Sequence, residues 1–362
     1  MTRVLFVSNG HGEAAIAKHI AREVRARGDV ATHHFALVGA GLGGGAFPDV
    51  GPQAAMPSGG LVAMGNFRAL AADVRAGFLR LLARQLAFAA GATNYAAIIA
   101  VGDVYALGFA LLTRRPVVYV GTAKSVYVTP YGPVERILLR AATRVFVRDP
   151  ATAEFLRGRG VAAEAPGNVI ADLVASDARV PWPAASERVA LLPGSRDRAY
   201  ADAVRLADVA RCIARRVPGA AAVMSIAPGL DPARFAPLLA GDPPIGAWSD
   251  DLGALLADAS LAIGQAGTAN EAAAACGIPV VALEFEDARK SAWYRMRQAR
   301  LLGDALAIVP GDPELAAQAI AALLGDAARR SAMAAAGRER MGARGGSAAI
   351  AHAILALSGV GR

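Results

Sequence analysis

The apolar positions of this chain follow two rhythms. Short, nearly unbroken runs occur at "RVLFVS" (3–8), "THHFALVG" (32–39), "AAIIAVG" (96–102), "PVVYVG" (116–121) and "TRVFVRD" (143–149). Runs of this length without strict alternation predict strands buried on both faces, as in a parallel sheet covered by helices. Each leads through Gly, Asn or Asp into a new segment: "NGHGE" and a helix over 14–27, a Gly-rich loop, "DVYALGF" with a helix from about 105, "TAKS", and the helix "PATAEFLRGRG". Strand, glycine loop and helix in repetition predict a doubly wound α/β domain.

Residues 176–187, "SDARVPWPAASE", are polar with two prolines and read as a linker. The same rhythm then resumes: "RVALLPGS", a helix over about 200–216, "GAAAVMSIA", a short strand near "PIGAW", "ADASLAIG", a helix from about 270, "IPVVALE", and a helix over about 313–324. The expected organisation is therefore two domains, 1–178 and 187–345. The apolar helix within 346–362, "SAAIAHAILALSG", is expected to cross back to the N-terminal domain. A length of 362 residues also exceeds what one core usually serves.

One stretch, 95–112, approaches membrane-spanning length with Asp103 as its only charge, but Gly102 and Asp103 split it into a buried strand and a helix. Composition changes the picture little: 55% hydrophobic and 19% charged describes a globular chain. The two cysteines, Cys212 and Cys276, are far apart and fit no disulfide framework or metal-ligand spacing, and the start turns polar too soon for a signal peptide, so a cytoplasmic protein is expected. The formal charge of +8, mostly arginine, suits phosphate-bearing ligands or an anionic membrane surface. Nucleic acid is not expected as a partner, because the arginines are scattered and no zinc-finger, RNP or basic-helix pattern occurs.

Candidate chemistry sits where predicted strands end. "VGAGLGGGAF" matches G-x-G-x-x-G through Gly39, Gly41 and Gly44, but no helix follows, and it reads as a loop rather than a dinucleotide site. "LLPGSR" puts Gly194, Ser195 and Arg196 at a domain's first strand-to-helix turn, where backbone N–H groups, a hydroxyl and a guanidinium can meet phosphate. "QAGTANE" repeats that arrangement: Gln265, Gly267, Thr268 and Asn270 open a helix, and Glu271 can accept both hydroxyls of a ribose. The same letters also spell a capping box, Thr268 with Glu271. In the first half, His11, Glu13 and Asp103 all fall at the carboxyl edge of one sheet, as acid–base groups would, though Asp103 can equally cap the helix after it. Residues 66–88 and 290–300 mix Leu, aromatic and Arg residues, as either interfacial or packed helices do.

Taken together, "SNGHGEAAIA", "LVAMGNFRAL", "VGD", "PGNVIADLV", "LLPGSR" and "GTANEAAAACGIPVV" resemble the GT-B glycosyltransferases, specifically lipid-A-disaccharide synthase and its relatives, the lipid-A-disaccharide-synthase-related proteins. Departures point to the related group. The synthase carries "GIDAPDF" where this chain has "VGDVYAL", so Asp103 matches its first aspartate and Ala106 replaces the second. "NGHGEAA" lacks the last Asp of a "GExSGD" loop, and Glu271 lies one residue early.

The resemblance implies two Rossmann-like domains facing a cleft, with a UDP-sugar, of UDP-GlcNAc type, held mainly by the C-terminal one through Gly194, Ser195, Arg196, Gln265, Gly267, Thr268, Asn270 and Glu271. It implies inverting transfer with no metal or other cofactor; no D-x-D motif occurs. Asp103 is expected as the base by family position, then His11 by its titration near neutrality, then Glu13. A lipid-linked or amphiphilic acceptor is expected, with the protein peripheral on the inner face of the cytoplasmic membrane. The alternatives are a UDP-sugar epimerase or hydrolase of the same fold, although the "HRREN"-like and "GGxQEE"-like stretches of the epimerases are missing, and a non-catalytic nucleotide-sugar-binding protein.

Overall fold

The computed structural model describes residues 2–38, 43–54, 73–174, 180, 182–195, 198–227, 229–265, 267–285 and 289–360, apart from the side chains of residues 11 and 289–291. The chain divides into two compact units, Met1–Val169 with Arg344–Arg362, and Ile170–Ala343.

In the first unit β1 (Thr2–Ser8), β2 (Val30–Ala36), β3 (Ala97–Gly102), β4 (Val117–Gly121), β5 (Arg144–Val147) and β6 (Ala163–Glu164) form one sheet in the order β2-β1-β3-β4-β5-β6. Every pairing is parallel. All six residues of β3 are buried, which is why its sequence is continuously apolar. The residues after it do not continue a span: Asp103 stops the strand, and the helix Val104–Leu112 packs its Leu107 and Ala110 into the core. Among the described residues no helix is long and apolar enough to cross a membrane.

The helix His11–Arg27 buries Ala14, Ala17, Ile20, Ala21 and Val24, positions three and four apart that make one face. The closing helix Gly346–Leu357 packs against it within the first unit, as expected of the C-terminal segment. The close approach at its start is possible because a Cβ on Gly346 would fall 2.3 Å from the carbonyl oxygen of Gly167.

The second unit repeats the plan with β7 (Glu187–Leu192), β8 (Ala220–Ser225), β9 (Gly246–Trp248), β10 (Leu261–Gly264), β11 (Val280–Glu284) and β12 (Leu306–Pro310), all parallel, in the order β12-β11-β10-β7-β8-β9. Its core joins Val189, Leu191, Leu206, Ile213, Phe235 and Ile263. In both sheets the chain runs out to one side and returns to the other side of its first strand. The reversal points lie between β1 and β3, and between β7 and β10. Ligands of open α/β sheets bind beyond the carboxyl ends of strands at such reversals.

Among the elements not anticipated are the last strand added to each sheet's run, β6 and β12, the short helices Val169–Leu173 and Leu252–Ala257, and the helices Pro133–Arg140 and Ala327–Met341. The helix Ala327–Met341 buries only Met333, Gly337 and Met341 of its 15 residues, against an Ala- and Arg-rich remainder. That leaves almost no hydrophobic period to read.

Candidate functional site

The reversal in the first unit gathers residues from the ends of β1 and β3. Asp103 caps the helix Val104–Leu112: its Oδ1 accepts from the N–H groups of Tyr105 and Ala106 at 3.0 and 3.1 Å. Its Oδ2 accepts from Asn9 Nδ2 at 2.8 Å. Asn9 is buried, and its own Oδ1 meets no partner among the described residues. Glu13 lies against both loops. A Cβ on Gly10 would fall 2.5 Å from Glu13 Oε2, and one on Gly102 would fall 2.6 Å from Glu13 Cγ. Gly102 also has φ +116°, so this position needs glycine twice over, for its backbone and for the carboxylate stem beside it. His11 begins the helix on the same loop, and its side chain lies outside the described part. Asp103, Glu13 and the backbone of His11 are thus brought to one sheet edge.

Two polar chains behind this edge were not foreseen. Tyr119 Oη donates to the carbonyl of Gly102 at 3.0 Å and meets Tyr131 Oη at 3.2 Å; both phenols are fully buried, and burial pushes both well above the ordinary tyrosine range. On the other side Ser8 Oγ meets His34 Nε2 at 2.9 Å, and His34 Nδ1 meets Asp49 Oδ1 at 2.5 Å. Asp49 Oδ2 accepts from the N–H of Gly43 at 2.9 Å. Burial holds the His34 imidazole below its usual range, against the pull of Asp49. The neutral ring therefore donates from Nδ1 to Asp49 and accepts at Nε2 from Ser8. Asn9 and Ser8 lie in the quoted "SNGHGE", but nothing in a single sequence marks a buried His34 as their partner.

This relay also anchors the glycine loop. Gly44 and Phe47 exchange backbone hydrogen bonds across a tight turn, consistent with a loop and not a helix-opening cofactor site; Gly39 and Gly41 lie outside the described residues.

The reversal in the second unit carries the turns of both "LLPGSR" and "QAGTANE". After β7 come Pro193, Gly194 and Ser195; Gly194 has φ +106° and open space around it, and Ser195 is exposed. The helix Arg198–Arg216 begins three residues on, and Arg196 lies outside the described residues. After β10, Gly267 (φ +96°) is the N-cap of the helix Thr268–Ala275, with no side-chain capping bond. The capping-box arrangement of Thr268 with Glu271 is therefore not formed. Thr268 is the exposed first residue of the helix, and the N–H groups of Thr268 and Ala269 meet no acceptor among the described residues.

Asn270 is fully buried and turns back on its own strand, donating from Nδ2 to the carbonyl of Gly264 at 3.3 Å. A Cβ on Gly264 would come within 2.0 Å of Asn270 Oδ1, so the strand must end in glycine for this amide to fit. Glu271 is half-buried, and its Oε1 accepts from Gln298 Nε2 at 3.4 Å, a partner on the helix Arg289–Leu302 that sequence reasoning missed. Three buried amide atoms around this turn, Gln265 Nε2, Asn270 Oδ1 and Gln298 Oε1, have no partner among the described residues. Buried amides normally find partners, so this is a turn with unused hydrogen-bonding capacity. Among the described residues no cluster of three or more His, Cys, Asp or Glu side chains could hold a metal ion.

No family model matches the chain, and no curated protein matches it. Solved structures do. Spinosyn rhamnosyltransferase SpnG, complexed with thymidine diphosphate, is 20% identical with a TM-score of 0.63, covering 98% of this chain and 100% of its own. MurG of Acinetobacter baumannii is 15% identical with a TM-score of 0.59, at 98% and 100% coverage. UDP-GlcNAc 2-epimerase from Neisseria meningitidis, bound to UDP-GlcNAc, is 12% identical with a TM-score of 0.57, at 98% and 100% coverage. The fold is GT-B. Likeness at these identities speaks for the fold alone, and two sheets of six parallel strands fit it end to end. Glycosyltransferases and sugar-nucleotide epimerases both stand among the matches.

Proposed function

We propose that the protein is an inverting glycosyltransferase that takes a sugar from a UDP-sugar, of UDP-GlcNAc type, and passes it to a lipid-linked or amphiphilic acceptor. The carrying observation is the β10 turn. A glycine-capped helix opens there with uncommitted N–H groups, the half-buried carboxylate of Glu271 stands one turn in, and orphaned buried amides surround it. Helix-opening N–H groups and the macrodipole suit a diphosphate, and Glu271 suits the ribose hydroxyls. Gly194, Ser195 and Arg196, on the other strand of the same reversal, are assigned to the diphosphate as well. Gln265 and Thr268 donate to the nucleotide, and Asn270 positions the turn.

In the reaction a base takes the proton of an acceptor hydroxyl as its oxygen attacks the anomeric carbon. The bond to the diphosphate breaks through an oxocarbenium-like state, and UDP leaves with the electron pair. Positive potential at the helix opening and at Arg196 stabilises the leaving diphosphate. Asp103 is assigned as the base. Its Oδ1 is committed to the helix cap, whereas Oδ2 takes one bond, from Asn9, and keeps a lone pair for the acceptor. His11 and Glu13 on the facing loop are the next assignments.

A second reading, epimerisation or hydrolysis of the same donor, draws on the epimerases among the structural matches. Incubation with UDP-GlcNAc and a membrane-lipid extract tests the two: transfer gives UDP and a labelled lipid, whereas epimerisation proceeds without acceptor.

For the acceptor surface we propose the first unit's face formed by the neighbouring helices Phe78–Gly91, Val104–Leu112 and Pro133–Arg140. It exposes Leu79, Leu86, Leu112, Val134 and Ile137, the last two at 71% and 62%, alongside exposed Arg75, Arg80 and Arg84. Apolar side chains rimmed by arginine suit reversible docking on an anionic cytoplasmic leaflet. Residues 66–72, the start of the segment that raised this expectation, lie outside the described residues.

A further inference from the structure

The opposite end of the first unit's sheet carries a feature that the proposed reaction does not use. Where β1, β3 and β4 begin, an open groove of about 450 Å³ is lined by Arg3, Arg115, Asn94, Thr93, Thr2 and Ser358, with Tyr95 at its base. No carboxylate lines it. Neither Arg3 nor Arg115 forms an ion pair among the described residues.

The two guanidinium groups are held differently. Arg115 follows Arg114, which has φ +56°, a left-handed turn rare for a side-chain-bearing residue. Arg115 Nε then donates to the carbonyl of Tyr95 at 2.7 Å, which fixes the plane of the group and leaves its two Nη atoms without a partner among the described residues. Arg3 reaches the same region from the start of β1. Tyr95 Oη meets His33 Nδ1 at 2.9 Å, and burial together with the nearby Arg3 holds that imidazole below its ordinary range. Two arginines therefore share one groove with hydroxyl and amide groups and no acidic group in its lining, and His33 stands behind it, against the Tyr95 hydroxyl.

Two helices, Phe78–Gly91 and Gly346–Leu357, end beside this groove, and helix carboxyl ends also attract cations. Their last turns are closed by their own bonds, however, from Ala92 N to the carbonyl of Ala89 and from Ser358 Oγ to the carbonyl of Ile354. Arg115 reaches the Tyr95 carbonyl instead.

We propose that this groove is an anion site for a small phosphorylated ligand, with Arg115 forking onto the phosphate through its Nη atoms, Arg3 supplying the second charge, and Asn94 and the hydroxyls completing the set. The site is independent of the glycosyltransferase reading. It stands at the amino ends of the strands, away from Asp103 and Glu13 at their carboxyl ends.

The test is an NMR titration of the His33 imidazole in the full-length protein, with inorganic phosphate replacing chloride at constant ionic strength. A saturable shift is expected, with the imidazole's titration midpoint moving upward because a bound dianion favours its charged form. Arg3→Gln and Arg115→Gln should each weaken the response about tenfold or more, the consequence of one lost charge-assisted bond. Arg3→Gln should keep the parent melting temperature, and Arg115→Gln, which gives up the bond to the Tyr95 carbonyl, should lower it by a few degrees at most. Glycerol 3-phosphate and vesicles containing phosphatidic acid distinguish a free phosphate ester from a lipid headgroup as the source. No saturable shift, or the same shift in both variants, would overturn the site and leave the arginines as partners of the helix ends.

Discussion

Replacing Asp103 by Asn separates its two duties, because the structure shows what each oxygen does. Asn Oδ1 can still accept from Tyr105 and Ala106, so the helix cap survives. The new Nδ2 would face Asn9 Nδ2, donor against donor. Asn9 can answer by turning over its amide, since its Oδ1 is a buried acceptor without a partner among the described residues. The expected stability change is therefore small, within about 1 kcal/mol. Asp103→Ala has no such remedy. It loses the cap, worth about 1 kcal/mol, and strands the Asn9 amide, for about 1–3 kcal/mol in all. In turnover the two variants should look alike, both falling on the order of 100-fold or more with unchanged UDP affinity, because neither can accept a proton. Urea unfolding paired with a UDP-release assay reads both quantities. If Asp103→Asn keeps its turnover and His11→Ala or Glu13→Gln loses it, the base has been misassigned. If Asp103→Asn is as unstable as Asp103→Ala, the reasoning from Asn9 is wrong.

Further expectations concern other parts of the molecule. Gly264→Ala should destabilise the second unit by about 1–3 kcal/mol, since its methyl would meet Asn270 Oδ1, and Gly264→Ala combined with Asn270→Ala should recover part of that loss in urea unfolding. Arg196→Ala and Glu271→Ala should each weaken UDP binding by about 1–3 kcal/mol in calorimetry, and unchanged affinity in both would remove the donor assignment. Burial depresses His34 in the folded state, so the unfolded chain takes up its proton first; the stability this ring contributes is present above about pH 6.5 and is lost as the pH falls through its folded value. Thermal unfolding of His34→Gln between pH 7.5 and 5.5 should show a flatter pH dependence than the parent. Co-sedimentation with anionic vesicles should exceed that with neutral ones and decline with salt, and Val134→Ser with Ile137→Ser should reduce it severalfold; equal, negligible pelleting with both vesicle types would point to a soluble acceptor.

How far the sequence could be read depended on how local each signal was. β3 and β10 were legible because a strand buried on both faces has nothing polar in it, and Gly102 and Gly264 mark where each strand stops. The turns after β1, β3, β7 and β10 followed from the glycines and the Asp103 cap, which act within three residues of themselves. What could not be read was pairing at a distance. Asn9 with Asp103, Ser8 with His34 and Glu271 with Gln298 join residues 94, 26 and 27 positions apart, and only the sheet order brings them together. The capping box at Thr268 failed for a related reason. Its letters fit, but Gly267 takes the cap position, and Glu271 turns to Gln298 on another helix. The helix Ala327–Met341 escaped because Gly337, Met333 and Met341 bury too little to leave a period.

The central claim is that this chain moves a sugar from a nucleotide donor to a second molecule. The most direct measurement supplies sugar-labelled UDP-GlcNAc with a membrane-lipid extract and follows the label into the organic phase while UDP is quantified in the aqueous phase. Equal molar appearance of UDP and labelled lipid, dependent on Asp103 and Glu271, is the predicted result. Label that remains water-soluble as an epimer or free sugar, formed equally well without lipid, would contradict it.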